Sequence, residues 1–379
     1  MGRGSTIFGV DTSGDSNHTE YITYYRRYWL PRVRFEKSRG RHRSRGGSVV
    51  KRAIVDERGS GVGASGRTVL ATEDLAATRA RTVGPRDKTA RRLLKSTANK
   101  FYDGEVDIDW DAPMVDGMRW MPEHRISLYR TKLWDKLTEE QRRELGRHEI
   151  VSILSFGIYA EGILSANLLR VFGKGTFSDH SMYSIAEVGE ESRHSIMFGK
   201  LIEKTGLKPY TMPKAGLLVS KIAQFLPLGP ASYGGTLLIE EVLDRAQREA
   251  QNDPEMQPHL RQMMRIHVIE ESRHITYARE EMVRSMQATN RINRAIHRVI
   301  LATVANFTYI ALINPRVYRS VGINPIRGIV TAMASPTYKT NMQFFSEPMI
   351  RFFAEAGMCE GVVTSRLWKM TRAMPDDLA

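Results

Sequence analysis

The sequence predicts an all-α protein, a four-helix bundle with additional C-terminal helices. Three observations predict it. From about residue 87 onward, apolar residues recur with helical periodicity and strand signals are nearly absent. Four long segments are bounded by caps, glycines and prolines. The pentapeptide EESRH occurs at Glu190–His194 and again at Glu270–His274, and the helix pair around the first copy is restated around the second.

The front of the chain stands apart. Residues 1–100 hold 22 Lys+Arg against 9 Asp+Glu, a balance of +13, while the remaining 279 residues hold 34 against 33, or +1. Stretches such as RFEKSRGRHRSRGG are too rich in Gly, Ser and Arg to bury the surface that offsets chain entropy. Residues 1–70 are therefore expected to be a basic, disordered extension, and residues 71–379 a single domain. Scattered acids and the lack of an apolar run argue against an export signal there. The near-neutral remainder argues against a nucleic-acid partner.

The stretch that comes nearest to a membrane span, Val299–Ile313, is 15 residues and is preceded by His297 and Arg298. A membrane helix needs about 18, so a buried helix and no membrane are expected. One cysteine, Cys359, excludes an internal disulfide framework and a thiolate metal site, and fits a reducing, cytoplasmic setting.

A short helix is expected over Asp87–Phe101, followed by the irregular DGEVDIDWDAPM. The first long helix starts with a capping box, Thr138 followed by Gln141, and runs to Gly173. The second runs from Ser178 to Thr205, closed by Gly206. PKAGLLVSKIAQFLPLGP, ending at Pro230, is too long and apolar for a hairpin turn and suits the crossover of ferritin-like bundles. The third helix continues from there to Asn252. Asp253 as N-cap and Pro254 at the first helical position open the fourth, which extends to Asn290. Helices after Asn290 pack on the bundle, help close a pocket or form a homodimer surface.

Within each EESRH the second Glu and the His stand three apart, so Glu191 with His194, and Glu271 with His274, share one helix face and offer two ligands to one metal ion. Arg193 and Arg273 project elsewhere, toward acids on neighbouring helices. Each copy is preceded by a further glutamate, Glu161 by 30 residues and Glu240 by 31. Glu161 lies among Ile153, Leu154, Ile158, Leu164 and Leu168, where a lone carboxylate is costly unless neutralised or coordinated. Glu149, further up the same helix, is the alternative. Four inward glutamates carry −4, and two divalent cations supply +4. One Glu from each of two helices and Glu-x-x-His from each of two more is the constellation of carboxylate-bridged di-iron and di-manganese bundles.

The copies differ at one place. EVGEESRH against HVIEESRH sets Glu187 opposite His267. His267, Glu271 and His274 fall at i, i+4 and i+7 and can face one site, which makes His267 a candidate seventh ligand. Glu190, Glu270 and Asp244 are candidates to orient imidazole N–H groups. Tyr159, Tyr183 and Tyr233 either line a cavity or pack, and Cys359 is read as inert.

With this set the chain resembles the AurF-like N-oxygenases, the p-aminobenzoate N-oxygenase family of the ferritin-like superfamily, over about residues 85 to 340. The resemblance implies a ligand set of Glu161, Glu191, His194, Glu240, His267, Glu271 and His274. It also implies two Fe ions, with Mn possible in their place, O2 as co-substrate, and oxidation of a small arylamine at nitrogen. The electrons would come from a ferredoxin or flavin reductase. Two competitors share the bundle: an acyl-chain desaturase, which needs no third histidine, and a non-enzymatic ferritin-like iron-binding protein.

Overall fold

The computed structural model describes residues 83–175, 177–212, 224–225 and 227–379. The expected disordered extension over residues 1–70, and most of the expected crossover before Pro230, lie outside these. Among the described residues the protein is all-α and ferritin-like, without a strand. An isolated bridge joins Arg119 to Met256.

Helix α1 spans Arg86–Asn99 and α2 spans Glu139–Lys174. The capping box of α2 forms as expected: Thr138 Oγ1 accepts the Gln141 N–H at 3.2 Å, and the Gln141 side chain accepts the Thr138 N–H at 3.0 Å. The helix passes the expected stop at Gly173 and ends at Gly175. Ser178 caps α3, Asp179–Lys204, which closes at Gly206 with φ +73°.

The expected third helix is broken. Pro230–Glu240 forms α4 and Asp244–Asn252 forms α5, with a turn directly after Glu240. Glu240 and Glu241 are both buried, and Glu241 accepts from Arg279 Nε at 3.0 Å. Adjacent helical positions point about 100° apart, and the turn lets both carboxylates meet their surroundings. No Gly or Pro marks it in the sequence.

The fourth helix of the bundle also starts later than expected. Asp253 closes α5, and Gln257 caps α6, Pro258–Ala288, with Pro258 in the first turn. Residues Asp253–Gln257 are held instead by the chain between α1 and α2: Arg119 N–H donates to Glu255 O and Gln257 N–H to Arg119 O, both at 2.9 Å. Helices α7 (Arg291–Ala311), α8 (Pro325–Ala334), α9 (Pro336–Glu355) and α10 (Val362–Met370) follow.

Helix α2 packs on α3, α4 on α6, and the two pairs meet through α3 with α6 and α2 with α4. One apolar core, around Leu154, Met197, Leu201, Leu260 and Met263, fills the α2–α3–α6 end. Another, around Leu237, Met282, Leu301, Met349 and Phe353, joins α4 and α6 to α7, α9 and α10. Two helical spans, Glu139–Lys174 and Arg291–Val321, are long and apolar enough by composition to cross a membrane, a property that core helices share. In α2 the span carries the buried Glu149 and Glu161.

Candidate metal centre

Helices α2, α3, α4 and α6 bring all seven sequence-predicted residues into the bundle interior, and an eighth with them. The donors form two groups, Glu161, His194, His267 and Glu271 in one, and Glu187, Glu191, Glu240 and His274 in the other. Within each group the donor atoms lie within 4.8 Å of one another, and all eight side chains are buried. Glu149, the alternative to Glu161, belongs to neither. It accepts Ser127 N–H at 2.9 Å and Ser127 Oγ–H at 2.5 Å.

The two histidines of the repeated motif are held alike. His194 Nδ1 lies 3.2 Å from Glu191 and 3.1 Å from Glu271. Its Nε2 lies 2.9 Å from Glu270. His274 Nδ1 lies 3.0 Å from Glu191 and 3.4 Å from Glu240, with Nε2 2.8 Å from Glu190. An ionised carboxylate only accepts, so Glu190 and Glu270 place the proton on Nε2 and leave Nδ1 facing the carboxylates. Arg273 Nη2 binds Glu190 at 2.7 Å, and Arg193 Nη2 lies 3.5 Å from Glu270. Both arginines thus pair with acids across the helix interface, as their spacing predicts. Asp244 does not join this set. It receives Arg248 Nε at 2.8 Å on its own helix.

His267 stands over Phe198 and His194, with ring centroids 5.0 and 4.4 Å away. Its Nε2 is 3.3 Å from Glu271 and 3.7 Å from Glu161. Phe198 reaches it across Gly157, where a Cβ would come within 2.9 Å of the Phe198 ring. Tyr183 is fully buried one turn before Glu187, with its hydroxyl unpartnered, and packs on Tyr277 with ring centroids 4.8 Å apart. Cys359 is half-buried, and burial pushes its thiol up to about 12.

The electrostatics call for cations. Burial, then Glu191 and Glu271, raise Glu161 well above the carboxylate range, and burial with the same two neighbours does so for Glu240. Burial disfavours charge on His194 and His274 too, but the surrounding carboxylates outweigh it and draw positive charge there. At Glu191 and Glu271 burial opposes ionisation, and the facing imidazoles overcome it. His267 differs: burial outweighs Glu271 and lowers it to about 4, so it stays a neutral donor.

The fit to metal ions is direct. Both oxygens of Glu187, Glu240 and Glu271, one each of Glu161 and Glu191, and both nitrogens of His267 are buried without a hydrogen-bond partner. Buried polar atoms are rarely left so without water or an ion to complete them, and so many carboxylate oxygens turned toward one another suit cations. Carboxylate and imidazole donors with no thiolate suit iron or manganese.

Helical architecture and donor set together define a ferritin-like protein of the dinuclear-metal class. A sequence model described as P-aminobenzoate N-oxygenase AurF matches residues 84–357, and the chain belongs to that family. Uncharacterized proteins of Mycobacterium bovis and of two Mycobacterium tuberculosis strains are 26% identical over 210 residues, 53% of this chain and 62% of theirs. The chain thus spans less than two thirds of the length of these curated relatives.

Proposed function

We propose that the protein is a non-haem di-iron oxygenase that uses O2 to oxidise the nitrogen of an aromatic amine. The observation that carries this reading is the seven-residue donor set with its third histidine, His267, unpartnered and neutral beside Glu161 and Glu271. Glu161, Glu191, His194, Glu240, His267, Glu271 and His274 would hold the ions. When bound, two irons supply electrons to O2, and an external ferredoxin or flavin reductase returns them.

The chain's own residues prepare that chemistry. Glu190 and Glu270 fix the imidazole tautomers, with Arg273 Nη2 bound to Glu190 and Arg193 Nη2 beside Glu270. Glu191 and Glu271 stand between the two groups: Glu191 is 3.2 Å from His194 and 3.0 Å from His274, and Glu271 is 3.1 and 3.5 Å from the same two imidazoles. The apolar shell of Leu154, Leu164, Phe198 and Leu237 keeps bulk water out. An apolar cavity of about 60 Å³ earlier on α2, between Ile153, Leu243, Ala246, Tyr309 and Phe345 and with Arg125 and Asn341 at its polar side, would admit an aryl ring by opening further.

Metal content per chain, followed by exposure of the reduced protein to O2 with a panel of aminoarenes, tests the proposal. Hydroxylamine or nitro products are expected. Two irons without amine turnover would leave the centre standing and sink the substrate class. Oxidation of Fe(II) in excess of two per chain would indicate iron storage.

A further inference from the structure

We propose that Glu187 is an eighth protein ligand, so that the second ion is held by three carboxylates and one imidazole, Glu187, Glu191, Glu240 and His274. The proposal rests on the dinuclear reading above, but on neither the substrate nor the reaction. Glu187 is 0% exposed, and neither of its carboxylate oxygens has a hydrogen-bond partner. It sits one helical turn before Glu191, and one of its oxygens lies within 4.8 Å of a carboxylate oxygen of Glu191, one of Glu240 and a ring nitrogen of His274. A buried carboxylate with both oxygens unmet is destabilising, and a shared cation removes that cost.

The internal repeat supports the same assignment independently. Exchanging the two halves of the bundle carries Glu161 to Glu240, Glu191 to Glu271, His194 to His274, and Glu187 to His267. Under this exchange the first group becomes the second, member for member. If His267 is a ligand to one ion, the position that is its counterpart faces the other ion from the same place on α3. The sequence difference between the halves then has a chemical meaning. The first ion meets two carboxylates and two imidazoles, the second three carboxylates and one imidazole. Oxygen donors suit harder ions and imidazole suits iron, so the two positions are not equivalent and should fill in order.

Titration of metal-free full-length protein with Fe(II) under anaerobic conditions, and separately with Mn(II) followed by electron paramagnetic resonance, tests this without any substrate. The wild type is expected to take up two ions per chain, with Mn(II) preferring the second position. Glu187→Ala and Glu187→Gln should bind the second ion at least about 10 to 100 times more weakly, the loss that follows removal of a residue that merely supports a ligand. Uptake of the first should be little changed, with circular dichroism showing the helices retained. Glu187→His, which copies His267 into the first half, should keep two ions and lose the preference for Mn(II). Tight binding of two ions with unchanged preference in both Glu187→Ala and Glu187→His would overturn the assignment. Failure of the wild type to bind two ions would instead overturn the dinuclear reading beneath it.

Discussion

His194 reaches from α3 to the carboxylate of Glu270 on α6, with Nε2 2.9 Å from Oε2. The reverse contact runs from His274 to Glu190 at 2.8 Å. The arginines follow the same pattern: Arg273 lies 2.7 Å from Glu190 across the bundle against 3.7 Å from Glu270 on its own helix, and Arg193 lies 3.5 Å from Glu270 against 3.8 Å from Glu190.

Removing these acids should have unequal costs. Glu190→Ala strips the closest partner from Arg273, whose side chain is only 4% exposed, whereas Glu270→Ala affects Arg193, which at 25% exposed can turn to water. Breaking a buried pair costs about 3 kcal/mol or more, so denaturant unfolding should show Glu190→Ala as clearly the less stable of the two. Both should weaken metal binding by about 10 to 100-fold.

His267→Ala should leave the helical fold intact, because Phe198 and His194 still pack around the site. Metal-dependent arylamine oxidation should be diminished. Full activity in this variant, assayed with the same aminoarene panel, would remove the reason to prefer an N-oxygenase over a desaturase.

Glu149 predicts a pH dependence of stability. Burial raises it from the ordinary 4.5 to about 7, against the hydrogen bonds from Ser127. Between those values the folded protein keeps a proton that the unfolded chain has released. Stability therefore falls as pH rises from about 4.5 to about 7, by about 3 kcal/mol from this group, and levels off above. Glu149→Gln, which still accepts from Ser127, should flatten that limb and unfold at higher denaturant at pH 8 than the wild type. Equal slopes for the two proteins would exclude a raised Glu149.

Filling the apolar cavity tests its place in the proposed reaction. Ala246→Leu projects extra methyl groups among Leu243, Tyr309 and Phe345 at a cost of roughly 1 to 3 kcal/mol in stability. The expected result is a raised KM for bulky aminoarenes with two irons retained. Unchanged KM values across the panel would place the substrate elsewhere.

Much of this was legible in the sequence because the repeat encodes geometry. Glu161, Glu191 and His194, and their counterparts Glu240, Glu271 and His274, are set by helical spacing alone, and the caps at Thr138 and Ser178 by local chemistry. The break after Glu240 was not legible, since it answers to Arg279 on another helix rather than to any local breaker. The start of α6 at Pro258 instead of Pro254 has the same origin, in a segment more than a hundred residues earlier. Asp244 was drawn to Arg248 on its own helix, a contact that competes at short range with the site. Glu187 was visible as the mismatch in the repeat, but its two unmet oxygens depend on how α3 sits against α4 and α6.

The crossed contacts between α3 and α6 also bear on assembly. On their own helices Glu190 and Arg193 meet only at 3.8 Å, and Glu270 and Arg273 at 3.7 Å; the closer contacts of all four wait for the opposite helix to dock. Neither half of the chain, made alone, would carry a finished cage, so the docking of one helix pair on the other and the creation of the metal pocket are one event.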